Sequence, residues 1–194
     1  MDTQMLLAVL VILALVAIAF VLYQRKSRSD RLRRDFGPEY GRTVETFGSR
    51  EKAEAELHAR RKRVDRLNIV PLSPADAQRF SQAWRSLQAR FVDNPHGALA
   101  EADALVRDLM HKRGYPMADF ESSAADISVN HPGVVEHYRA AHAVAERDAR
   151  GETDTEGLRQ AVIHYRALFA ELLEVDEPPE RHDPRHHPDM RTQS

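Results

Sequence analysis

Cysteine is absent from the 194 residues. No disulfide is needed, which is compatible with either side of a membrane. Glycine is scarce at eight residues, none in a GxG arrangement, which leaves no loop for cradling phosphate. The chain also lacks HExxH, GxSxG, a Walker lysine motif and a dinucleotide-binding glycine pattern. Carboxylate pairs such as Glu171 and Glu174 are ordinary on helix surfaces. No residue set nominates itself for catalysis, so the expectation is a non-enzyme without a cofactor.

What the chain does have is a long apolar run. Residues 5–23 carry no charge and no Gly, Pro, Asn or Gln. As a helix they would extend about 28 Å, close to a bilayer core of about 30 Å. The expectation is a transmembrane helix over 5–24, preceded by a short tail at 1–4. Arg25, Lys26, Arg28, Arg31, Arg33 and Arg34 follow it, with no basic residue before it. That bias places the N-terminus outside and the remainder on the cytoplasmic side of the membrane. A signal peptide cleaved near Ala17-Ile-Ala19 is opposed by the missing N-terminal positive charge and by the basic cluster. An uncleaved anchor with the domain outside is the remaining alternative.

Charge is uneven along the chain. Residues 24–67 hold 14 basic and 8 acidic residues, and 68–194 hold 14 and 21. Residues 25–67 therefore read as a basic helical stalk next to the membrane. Its cluster at 25–34 suits anionic lipid headgroups or serves topology alone. Gly37-Pro38 breaks the helical pattern. Tyr40, Val44 and Phe47 form a short amphipathic face, and Ser49 is an N-cap for 50–67. On that helix Ala53, Leu57, Val64 and Leu67 make a thin stripe, interrupted by Arg60, Arg61, Lys62 and Arg63. The basic run is a candidate interaction surface. It lacks interleaved aromatics, and neighbouring acids dilute it, so a solvated helix face fits better than nucleic-acid binding.

A compact bundle is expected over 68–174. Asn68 to Leu72 reads as an extended connector. Ser73-Pro-Ala-Asp76 starts a helix on which Ala77, Phe80, Trp84, Leu87 and Phe91 form the best apolar stripe. After Asp93-Asn-Pro95 a second helix presents Leu99, Ala102, Val106 and Leu109, ending at Gly114. A short helix carries Phe120, Ala124 and Ile127. Two more follow, one with Tyr138 and Ala141 inward, the other with Leu158, Tyr165 and Leu172. Thr153-Asp-Thr-Glu156 reads as a capping box for the last. His137-Tyr-Arg-Ala140 recurs as His164-Tyr-Arg-Ala167, either as a duplicated helix packed about a pseudo-twofold axis or as coincidence.

Residues 175–194 hold four prolines and almost nothing apolar, the composition of a disordered tail. Its His182, His186 and His187 are weak metal candidates, because imidazoles without fixed geometry chelate loosely. The fold class expected is all-α: a transmembrane helix, a basic stalk, a bundle and a disordered tail.

The run Gln82-Ala-Trp-Arg-Ser-Leu-Gln-Ala-Arg-Phe-Val-Asp-Asn-Pro95 resembles part of a family of small bacterial single-pass membrane proteins with a helical domain. Glu101-Ala-Asp103, Arg113-Gly-Tyr-Pro116 and His164-Tyr-Arg-Ala-Leu-Phe169 share the resemblance, which spans about 31–174. It implies a helical domain at the plasma membrane and carries over no activity or site residue. The function expected is a membrane-anchored interaction module with a protein partner or its own copies. The alternatives are a lipid-surface or envelope-stress protein acting through the basic stalk, and a ligand binder or enzyme using a pocket near Trp84, Tyr138 and Tyr165.

Overall fold

In the computed structural model the described residues are 3–173, with side chains described from Ile12 onward. They form eight helices and no strand: α1 Thr3–Phe36, α2 Pro38–Phe47, α3 Arg50–Val64, α4 Pro74–Arg90, α5 Pro95–Lys112, α6 Phe120–Asn130, α7 Val135–Ala149 and α8 Thr155–Leu172.

Local chemistry sets most of the boundaries. Gly37, at φ 51°, separates α1 from α2, and Pro38 opens α2 where its missing N–H costs no hydrogen bond. Ser49, Ser73 and Asn94 cap α3, α4 and α5 by accepting from the amides of Lys52, Asp76 and Gly97. One cap differs from the sequence reading. Asp154, not Thr153, caps α8 by accepting from the Gly157 amide, and the buried Thr153 hydroxyl has no partner. A carboxylate at the positive end of a helix outcompetes a hydroxyl one residue earlier.

The main core lies among α4, α5, α7 and α8. Phe80, Trp84, Leu99, Val106, Leu109, Tyr138, Leu158, Tyr165, Leu168 and Leu172 are all buried in it, as their helical spacing requires. Trp84 stacks on Phe169 with centroids 4.6 Å apart. α7 and α8 pack on each other, α5 lies on α8, α4 on α5, and α6 joins α7 to α3. The connector before α4 is held at the end of α5: the Val70 amide donates to the Arg113 carbonyl, and Arg113 Nε donates to the Val70 carbonyl.

Two expectations need correction here. No helix among the described residues is long and apolar enough to cross a membrane, so the transmembrane helix over 5–24 is overturned. Among the described side chains of α1 the unbroken apolar run goes only from Ile12 to Tyr23, short of the about 20 residues a span needs. Polar residues then begin at Gln24 while the helix runs on to Phe36. The side chains of 5–11 lie outside the described residues.

Nor is 25–67 a free-standing stalk. Leu32, Phe36, Tyr40 and Leu57 form a second buried cluster, with Val44 and Val129 packed against it. α1, α2 and α3 thus make a layer that rests on α6. The sequence hid this because its apolar positions are few and spread over three helices. The tail at 175–194 lies outside the described residues.

Candidate functional site

Three groups of polar side chains are organised beyond what helix surfaces need. The first is basic. Arg25, Lys26, Arg28, Arg31, Arg33 and Arg34 all lie exposed on α1. They follow directly on nine large apolar side chains, from Ile12 to Tyr23, each 50–72% exposed. The helix therefore changes from an apolar rod to a basic one within about one turn. Arg33 lies over the Tyr40 ring at 5.3 Å, and Tyr40 and Ser29 both bind Glu54 Oε1, which fixes α1 against α3.

The second group is buried and joins this layer to the bundle. Glu39 on α2 is 1% exposed, and its Oε1 accepts from Arg60 Nη1 at 2.8 Å and from Arg139 Nη2 at 3.0 Å. Arg139 Nη1 also donates to Glu121 at 2.7 Å, and Arg60 Nε donates to Glu56 at 2.9 Å. Arg63 Nε donates to the buried Asp126 at 2.8 Å. Four helices (α2, α3, α6 and α7) are linked in this way. Glu39 Oε2 and Arg139 Nε remain buried without a partner.

This network and its neighbours engage three of the four cations at Arg60–Arg63. Arg60 is buried, Arg63 is committed to Asp126, and Arg61 donates to Asp35 at 2.9 Å while lying over Phe36. Within the four-residue run, Lys62 alone is exposed with no ion pair shown. Glu56, four positions before Arg60, is a partner visible in sequence, but Asp126 is 63 positions from Arg63 and Glu39 is 100 from Arg139.

The third group lies where α7 and α8 meet. His137 and His164 face each other with Nδ1 atoms 2.9 Å apart, and the next residues, Tyr138 and Tyr165, have ring centroids 6.4 Å from each other. The Tyr165 hydroxyl donates to Asp103 at 2.7 Å, and Asp103 is paired with Arg107. Burial, helped by the Asp103 carboxylate, pushes the Tyr165 hydroxyl well above its ordinary range. The same two causes push Tyr138 up to about 12. His164 is held below the ordinary histidine range by its burial and by His137.

The pair is not a metal site as it stands. The ring centroids are 5.1 Å apart, close to the nitrogen separation plus two ring radii, so the nitrogens point at one another. A metal needs about 2.0–2.1 Å to each imidazole nitrogen, and a head-on gap of 2.9 Å leaves no room for it. One imidazole must therefore donate and the other accept. Among the described residues no group of three or more His, Cys, Asp or Glu could hold a metal. His182, His186 and His187 lie outside them.

The rings near Trp84, Tyr138 and Tyr165 form core. All three are buried, Trp84 fills its space against Phe169, and the Tyr165 hydroxyl is engaged by Asp103. A close packing of this kind is what an interior requires without any ligand.

No family model, no curated protein and no solved structure matches the chain.

Proposed function

We propose that the chain is a helical interaction module held at an anionic lipid surface by α1. The observation that carries this reading is the composition of α1 along its length: exposed apolar side chains from Ile12 to Tyr23, then exposed cations from Arg25 to Arg34. An exposed apolar patch of this extent calls for a cover, and acyl chains supply one that is apolar on every side. The basic residues next to it favour anionic headgroups by about 1 kcal/mol each. The cytoplasmic leaflet, with its negative surface potential, is the surface this charge suits.

The end of α1 supports the module part of the reading. The helix does not stop in a linker. It enters the fold through Leu32 and Phe36, and the Glu39 network fixes the next layer to α6 and α7. The bundle is thereby presented in a set orientation to whatever it meets, a partner or a second copy.

Flotation tests this. The full chain should rise through a density gradient with vesicles containing phosphatidylglycerol. Replacing Leu15, Ile18 and Leu22 with serine should leave it at the bottom. A native chain that stays at the bottom with every vesicle composition overturns the reading. For the module, crosslinking on the vesicle or cell membrane should recover a stable neighbour.

A further inference from the structure

Between α1 and the start of α3 lies a cleft of about 700 Å³. Arg25, Lys26, Arg28 and Arg33 of α1 line it, and Arg50, the first residue of α3, closes its far side. No ion pair holds any of these five cations among the described residues. Arg60, Arg61 and Arg63 differ in this, each being committed to a carboxylate. Three carboxylates share the cleft wall: Asp30, Glu51 and Glu54. Glu54 Oε1 already accepts from Ser29 and Tyr40. Five cations against three acids leave the cleft net positive, although Arg33 also lies over the Tyr40 ring.

We propose that this cleft is a binding site for the phosphate of an anionic phospholipid headgroup. The proposal rests on the lipid-surface reading of α1 and names the headgroup site within it. Depth is the first argument. Arg25 follows Tyr23 by two positions and Arg33 by ten, so the cleft begins about 3 Å beyond the apolar segment and reaches about 15 Å past it. With the apolar segment among acyl chains, the cleft sits at headgroup level.

Convergence is the second argument. A basic stretch that only sets charge needs one helix. Here a second helix brings Arg50 and its own N-terminal turn to the same space. The first amides of a helix have no intrahelical acceptor and carry partial positive charge, so they add to the pull on a phosphate. Ser49 has already satisfied the Lys52 amide, which keeps that turn formed without a ligand. Arginine suits the task because its fork of donors matches phosphate oxygens. Arg31 and Arg34 are exposed on the same helix but do not line the cleft. They provide an internal control of equal charge.

The test compares vesicle binding of the full chain with Arg50→Gln, Arg31→Gln and Arg34→Gln variants. The vesicles are phosphatidylcholine alone or phosphatidylcholine with phosphatidic acid. Arg50→Gln should weaken binding to the phosphatidic acid vesicles by roughly tenfold or more. Arg31→Gln and Arg34→Gln should each cost no more than the about fivefold that a basic residue near an anionic surface is worth. Binding to phosphatidylcholine alone should be unchanged in all three.

Equal losses in the three variants would overturn the site and leave the lipid-surface reading standing. A native chain that binds neither vesicle would overturn that reading itself. Inorganic phosphate at millimolar concentration supplies the remaining arm. Failure to displace the chain from phosphatidic acid vesicles supports a lipid headgroup. Displacement that Arg50→Gln abolishes would assign the cleft to soluble phosphate and overturn the lipid source.

Discussion

His137 and His164 occupy equivalent places in two copies of His-Tyr-Arg-Ala and meet across the α7–α8 interface with Nδ1 atoms 2.9 Å apart. The tyrosines that follow them also face each other, at 6.4 Å. Like meets like only where two helices cross near a local twofold axis, so the repeat marks the crossing point of this hairpin.

The histidine pair makes stability depend on pH. One proton fits between the nitrogens, and a second would put two N–H groups head to head. The positions three and four away on each helix are uncharged: Gly133, Val134, Ala140 and Ala141 around His137, and Gln160, Ala161, Ala167 and Leu168 around His164. On α5, Asp103 and Arg107 face the tyrosines beside the pair. His164 titrates lower in the folded chain than its ordinary value. As pH falls through about 6.5 the unfolded chain takes up a proton first, so stability is lost on acidification and levels off below the folded value. Thermal unfolding between pH 5 and 7.5 should show a steeper loss for the native chain than for His164→Gln. Parallel curves would remove the shared proton from this account.

Glu39 is the keystone of the layer contact. Replacing it with glutamine leaves Arg60 and Arg139 facing each other without their shared carboxylate. Breaking a buried pair of this kind costs about 3–5 kcal/mol. Urea unfolding should register a loss of that order for Glu39→Gln, while the exposed Arg159→Ala stays near native. A Glu39→Gln chain of native stability would show that the two arginines find water instead.

Tyr138 and Tyr165 set the alkaline limit. Both hydroxyls titrate higher in the folded chain than their ordinary value of about 10, so below that pH they have no effect. Above it the unfolded chain releases its protons first, and stability falls as pH climbs from about 10 past 12. Tyr165→Phe should make that fall shallower. At neutral pH it should cost about 1–2 kcal/mol, because Asp103 loses a donor. A native chain whose unfolding midpoint is flat from pH 9 to 11.5 would contradict this.

Gly114 ends α5 at φ 95°, and a Cβ there would lie 2.3 Å from the Asn68 carbonyl oxygen. Gly48 also has positive φ, at 69°, but opens onto free space. Alanine at Gly48 meets only the left-handed penalty, about 1–2 kcal/mol. Alanine at Gly114 adds a backbone collision and should cost more than that by at least about 1 kcal/mol. Equal losses in denaturant midpoints would mean the connector moves aside freely.

Much of the fold was legible from local chemistry. The break at Gly37-Pro38, the caps at Ser49 and Ser73, and the stripe from Ala77 through Leu87 each depend on residues within one or two turns of each other. Helix capping and 3.6-residue periodicity act over such distances, so the sequence alone determined where these helices lie and which faces turn inward. The reading went wrong over the first helix, where the whole apolar run was weighed as a span. Nor does charge alone tell the buried Arg60 from the exposed Lys62 and Arg63 beside it.

Only the tertiary structure decided what the charges and histidines do. Arg60 and Arg139 are drawn together by Glu39, and Arg50 comes round to face Arg25 and Arg33, because α2 and α3 fold back on α1 and rest on α6. An arginine on a polar helix face looks the same in sequence whether water or a buried carboxylate awaits it. Its partner is chosen by how the helices cross, and that is fixed by apolar contacts scattered over the whole chain. The physical division is one of range: backbone hydrogen bonding and side-chain spacing are local, while desolvation and charge pairing depend on what packing brings near.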